Sequence, residues 1–142
     1  MLSIDPFANN NEIASITNDL DNSFGTTYNM DAFDFLSIFD HQSVDLCLFD
    51  PPYSSRQVAE CYKALGKTVN FETTQSSFWT KLKEQIARII KPNGLVISCG
   101  WNSNGVGQTL GFELVEILLV AHGGAHNDTI VTVERKIINK LF

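Results

Sequence analysis

The sequence predicts an α/β fold: a mostly parallel sheet with an antiparallel last strand and reduced helices. Three observations predict it. Short apolar runs alternate with polar or helical stretches along the whole chain. Residues 44–49 are nearly all apolar, interrupted only by Asp45, as expected of a parallel strand buried on both faces. The last two apolar runs are joined by His122-Gly123-Gly124-Ala125-His126-Asn127-Asp128, too short for a parallel crossover, so these strands are antiparallel neighbours.

The elements follow in order. Residues 2–4 form a first strand ending at Asp5-Pro6, and residues 14–17 a second ending at Asn18-Asp19. Residues 26–30 form a weaker third, ending at Asp31. Apolar residues at 32, 33, 35, 36 and 39 have helical spacing. The fourth strand, 44–49, must stop at Asp50-Pro51-Pro52, because proline cannot donate to a ladder. The polar stretch 54–76 holds a short helix over 56–65 and a loop. Residues 78–90 form an amphipathic helix stopped by Lys91-Pro92-Asn93-Gly94. Strands five, six and seven are expected at 95–99, 112–120 and 129–135.

The length of 142 residues fits one domain, 1–142, and 44% hydrophobic residues can bury a core. No apolar run approaches the roughly 20 residues that span a bilayer, and the N-terminus lacks a signal-peptide pattern, so no membrane partner is expected. Cys47, Cys61 and Cys99 form no CxxC pair and no zinc spacing; reduced thiols in a cytoplasmic protein without a metal site are expected. His122 and His126 read as loop polarity. The net charge of −6 counts against binding nucleic acid through a broad basic surface, and leaves room for a local basic patch.

Asp5, Asp19, Asp31 and Asp50 each close an apolar run. Ligands of open α/β sheets bind beyond the carboxyl ends of the strands, so the set reads as a site although Asp is also common in turns and caps. Phe49-Asp50-Pro51-Pro52-Tyr53 is the most informative stretch. A Pro-Pro pair alone is expected about once in 400 positions. An exocyclic amine of adenine or cytosine is a poor nucleophile, because its lone pair is delocalised. Two acceptors aimed at its N–H groups favour a pyramidal nitrogen: the Asp50 carboxylate and the Pro51 carbonyl, preorganised by the prolines. Tyr53 offers a ring to stack on the base. The base must be flipped or single-stranded to reach them.

Residues 44–53 resemble motif IV of the DPPY-type amino-methyltransferase family, which methylates adenine or cytosine amines in DNA. Other pieces fall in the family's order. Asp5-Pro6-Phe7-Ala8 resembles its cofactor loop, Asn18-Asp19 matches the acid that holds the cofactor ribose, and Met30-Asp31-Ala32 resembles the motif that contacts the cofactor adenine. Residues 88–94 are similar to its R-x-L-K-P-G-G turn. The resemblance implies a Rossmann-like class I methyltransferase sheet and S-adenosylmethionine as cofactor. It implies catalysis at Asp50, Pro51, Pro52 and Tyr53, and methyl transfer to a nucleobase amine, adenine in DNA first, with little sequence specificity.

The sequence departs from that pattern in two places. Only nine residues, 6–14, separate strands one and two, so the first helix is absent or reduced to a turn, and the asparagines at 9–11 stand in part for the family's glycines. Too few residues follow Tyr53 for a recognition domain, which leaves Arg56, Lys63, Lys67 and Trp101 as candidate contacts. The abrupt start leaves a fragment, or a minimal form completed by a homodimer or helper subunit. The alternatives are a weakly active or inactive binding subunit, or an RNA methyltransferase; Asp rather than Asn at 50 disfavours a protein amide.

Overall fold

The computed structural model describes residues 1–67 and 77–137. Among these, β1 (Ser3–Asp5), β2 (Ile16–Thr17), β3 (Val44–Phe49), β4 (Ile90–Gly100), β5 (Phe112–Val120) and β6 (Thr129–Lys136) form one sheet in the order β2-β1-β3-β4-β6-β5. The first four of that order are parallel; β6 runs antiparallel to both β4 and β5. The expected mixed sheet is therefore present, with its antiparallel last strand. The described helices are α1 (Ala32–Ser37), α2 (Ser55–Ala64) and α3 (Ser77–Ile89). The remainder of the polar stretch after α2, residues 68–76, lies outside the described residues.

The core lies between the sheet and the α1–α3 pair. Leu82, Ile86 and Ile89 share one face of α3 by their spacing, and all are buried. They meet Phe35 and Leu36 of α1 and Val44, Cys47, Phe49 and Val96 of the sheet. Burial of each such side chain contributes roughly 1.5–3 kcal/mol.

The opposite face departs from expectation. Leu46 and Leu48 of β3 and Leu95 and Ile97 of β4 are only partly buried, and no described helix covers them. Right-handed crossovers to either side of β1 place helices on opposite faces of the sheet. Here residues 6–15 form turns instead of the helix that would cover this face. The β3 run is buried on one face, not two.

The expected third strand is reduced to a single parallel bridge, Asn18 to Tyr28. The Asn29 side-chain amide donates to Asp19 O, Asp21 O and Thr26 Oγ1, which curls the segment into a loop. The Lys91-Pro92-Asn93-Gly94 turn also differs from its reading as a helix stop ahead of a strand at 95. Ile90 already pairs with Val44, and the turn bulges out before pairing resumes at Leu46–Leu95. Asn93 takes a left-handed φ of 66°. A side chain at Gly94 would lie 2.7 Å from Ile90 Cγ2. What ends α3 is outside it: the Gln42 and Ser43 amides donate to Arg88 O and Ile89 O at 3.0 and 2.8 Å.

Glu134 of β6 is 3% exposed, and its carboxylate accepts from the Val106 amide at 2.7 Å and the Gly107 amide at 2.9 Å. It thereby pins the loop that follows β4. Glu134→Ala strands two amides and leaves a void, so it should lower stability by about 3 kcal/mol, read as the shift in a urea unfolding midpoint.

Candidate active site

The strand tips are stitched together by Asn18, which is fully buried. Its Nδ2 donates to Pro6 O at 3.2 Å and Met30 O at 2.9 Å, and its Oδ1 accepts from Met30 N at 3.1 Å. The exits of β1 and β2 and the approach to α1 are thus fixed by one side chain. The loop after β1 is closed by Asp19, whose Oδ2 accepts from Asn9 N at 3.0 Å while its Oδ1 accepts from Asp21 N. Asn9 adopts φ 53°, the left-handed conformation for which glycine is the usual choice. Asp31 caps α1 through Phe33 N at 2.9 Å, and its other oxygen accepts from the Tyr62 hydroxyl.

At the tip of β3, the chain leaves through Asp50-Pro51-Pro52-Tyr53 into α2, which is capped by Ser54. The Tyr53 hydroxyl donates to Asp50 Oδ1 at 2.8 Å, and its ring meets Trp101 edge-on with centroids 5.6 Å apart. Tyr53 N donates to Gln57 Oε1 at 2.6 Å, and Trp79 Nε1 donates to Pro52 O at 3.0 Å. Among the described residues the Pro51 carbonyl accepts no hydrogen bond. The Tyr53 ring is therefore committed to Trp101 on one edge and to Asp50 through its hydroxyl.

These elements border a cleft of about 500 Å³, within the range of small-molecule sites. Pro6, Phe7, Asp19, Asp31 and Ala32 line it together with Asp50, Pro51, Pro52 and Tyr53. Leu20, Phe24 and Tyr62 add apolar wall. Asp5 and Ala8 stand elsewhere, in an adjoining hollow of about 560 Å³ that shares Phe7, Asn9 and Asp50. The reason for Asp5 is local: its Oδ1 accepts from Phe7 N at 3.0 Å, which turns the carboxylate into the loop. A third, smaller pocket of about 80 Å³ lies on the other side of the Pro51-Pro52-Tyr53 wall, between Trp79 and Trp101.

The electrostatics are lopsided. Asp19, Asp21, Asp31 and Asp50 face this cleft, and among the described residues no Lys or Arg lines it. Burial pushes the Asp5 carboxyl up to about 6, against the pull of the Phe7 amide, with Asp50 and Asp19 adding repulsion. Burial, and then the bond to Asp50, hold the Tyr53 phenol above its ordinary range, so it stays a neutral donor. The Cys99 thiol is raised to about 11, first by burial, and is no nucleophile. Among the described residues no group of three or more His, Cys, Asp or Glu side chains is placed to hold a metal ion. No described helix is long and apolar enough to cross a membrane.

Sequence reading missed Asn18 as a strut, Glu134 as a loop anchor, and Tyr62 and Lys83 as cavity residues. Asn18 carried a faint signal, as an amide immediately before the strand-ending Asp19.

No protein-family model matches the chain, and no curated protein sequence matches it significantly. Solved structures do share its fold. The 1,6-didemethyltoxoflavin-N1-methyltransferase of Burkholderia thailandensis, which holds S-adenosylhomocysteine, superposes with a TM-score of 0.64 at 11% identity, over 96% of this chain and 71% of that one. An S-adenosylmethionine-dependent methyltransferase of Methanosarcina mazei gives 0.61 at 9% identity, over 96% and 92%. TrmN from Thermus thermophilus gives 0.60 at 18%, over 96% and 44%. The chain has the Rossmann-like fold of these methyltransferases.

Asp5 gives a test of the tip electrostatics. Its folded value lies above the ordinary carboxylate value, so its ionisation opposes folding. The penalty is absent below pH 4, grows as pH rises through the range 4–6, and is complete above it. Asp5→Asn keeps an acceptor for Phe7 N and should be more stable than the parent at pH 8 by about 2 kcal/mol, an advantage that fades toward pH 4. Urea denaturation across that range reads it.

Proposed function

We propose that this chain transfers a methyl group from S-adenosylmethionine to the exocyclic amine of a nucleobase, adenine in DNA before the alternatives. The observation that carries the reading is the Asp50-Pro51-Pro52-Tyr53 wall. It presents a carboxylate and a Pro51 carbonyl that accepts no hydrogen bond among the described residues, at a cleft of cofactor size lined by acids. The residues present fit the cofactor. Asp19 has lone pairs left for ribose hydroxyls, Asp31 and Ala32 border the place of an adenine, and the acids favour a sulfonium and an ammonium. When bound, the cofactor supplies an electrophilic methyl group.

The chain's own residues do the rest. Asp50 and Pro51 O accept the two amine hydrogens and orient the nitrogen, so that its lone pair is directed along the line of transfer. One Asp50 oxygen already takes the Tyr53 hydroxyl, so the incoming amine shares or replaces that bond. The ring of Tyr53 then contributes mainly as a surface for the base. The amine of a paired and stacked base cannot reach Asp50 and Pro51 O, so the substrate is presented as a single strand or a flipped base.

The second reading is a non-catalytic binding subunit. It is favoured by the turn that replaces the helix after β1, because that helix's N-terminus would normally face the cofactor. Calorimetry with S-adenosylmethionine separates the two: binding favours the enzyme, and none favours the subunit.

With labelled cofactor and a panel of single-stranded and duplex DNA and RNA, the parent should label DNA, and Asp50→Ala should lose at least about a hundredfold. Retained labelling in that variant overturns the mechanism. Tyr53→Phe should keep most activity, while Tyr53→Ala should lose about ten- to a hundredfold, as expected for one stacking surface.

A further inference from the structure

The Pro51-Pro52-Tyr53 wall has two sides of opposite character. The large cleft on one side is lined by carboxylates. On the other side the small pocket is lined by Lys83 and Ser98 beneath the Tyr53–Trp101 pair. Lys83 is the one cation among the described residues that lines any of the three cavities.

Among the described residues neither Lys83 nor Ser98 has a side-chain partner. Ser98 is 6% exposed, and its Oγ has no hydrogen-bond partner among the described residues. A buried hydroxyl left unpaired is costly and calls for an explanation. Its cross-strand neighbour Thr132 does not supply one, since that hydroxyl is unpartnered too. Lys83 is partly buried and makes no ion pair among the described residues. Burial depresses its ammonium and the Glu134 charge opposes that, while the Glu134 carboxylate accepts from the Val106 and Gly107 amides. An ammonium and a hydroxyl thus remain for a ligand oxygen. The pocket, about 80 Å³, has room for an oxyanion or a ring edge and not for a nucleoside.

We propose that Lys83 and Ser98 form an oxyanion subsite that holds a phosphate of the methyl acceptor, so that the acceptor is taken as a nucleotide and not as a free base or nucleoside. The inference rests on the methyl-transfer reading of Asp50 for what the phosphate belongs to. It also fits the charge of the whole chain: at −6 a broad basic surface is not expected, so a local cation beside the wall gains weight. The same phosphate chemistry is offered by a free nucleotide and by a polynucleotide backbone.

The test is a binding titration, independent of transfer. The chain's two tryptophans, Trp79 and Trp101, both line this pocket, so their indole N–H resonances report on it. Adenosine 5′-monophosphate should shift both and bind about tenfold more tightly than adenosine, the effect of one charge-assisted hydrogen bond. Lys83→Met should erase that preference, Lys83→Arg should keep most of it, and Ser98→Ala should weaken it severalfold. A Lys83-dependent response to a short oligonucleotide that exceeds the response to the monophosphate identifies the backbone as the source; the reverse identifies the free nucleotide. Equal affinity for nucleotide and nucleoside in the parent, or a preference that survives Lys83→Met, overturns the subsite. Calorimetry with S-adenosylmethionine on the same samples keeps the two ideas apart. A chain that does not bind the cofactor but shows the Lys83-dependent preference sinks the methyl-transfer reading and supports the subsite.

Discussion

One buried side-chain amide holds the carboxyl end of this sheet in shape. The strands that feed it are short: β1 has three residues and β2 has two, too few to fix their own exits. Asn18 substitutes for the missing ladder, bonding to Pro6 O and to both polar backbone atoms of Met30 from a fully buried position. A buried amide with its donors and acceptor satisfied specifies geometry, because any slip leaves polar atoms unpaired in a dry environment. Remove that strut and Asp19, Asp31 and the loop after β1 have nothing common to be positioned against.

Among the described residues, the sheet that positions these groups has a helical layer on one face only. Only the α1–α3 side is fully packed, while Leu46, Leu48, Leu95 and Ile97 remain partly accessible. The rigidity needed at the Asp50 tip comes instead from proline and from hydrogen bonds at right angles to the strand. Trp79 holds Pro52 O, Gln57 holds Tyr53 N, and the Asp45 carboxylate clamps Leu2 N at 2.7 Å, tying β3 to the start of β1. Two of these bonds join segments far apart in sequence, so the strand exit is braced from other elements of the fold.

The legible parts of the sequence were those with strong local causes. The β3 run, the proline stop at 51–52 and the α3 periodicity all follow from near neighbours, and they appear within a residue or two of expectation. The strip of strand-ending acids was legible too, apart from the burial of Asp5. What escaped is what depends on distant partners. Residues 26–30 look strand-like, but Asn29 bonds back to its own loop. The 44–49 run looks doubly buried, yet whether a second layer exists is decided by the length of a different segment. Lys83 sits on the polar side of a helix in sequence, and only the fold brings it beside Tyr53.

The clustered acids have an energetic meaning of their own. Asp5 is raised by burial and further by Asp50 and Asp19, so the strand tips carry repulsion that works against folding at neutral pH. Any cation that enters the cleft lowers that repulsion, and by linkage its binding is strengthened by the strain it relieves. An anion is disfavoured there for the same reason and is directed to the far side of the Pro51-Pro52-Tyr53 wall, where Lys83 stands. Carboxylates and the Lys83 ammonium are thereby kept on opposite sides of one rigid turn, with Asp50 and Pro51 at its start. Charge sorting around a proline wall is thus built into the exit of one strand, where the backbone is already fixed.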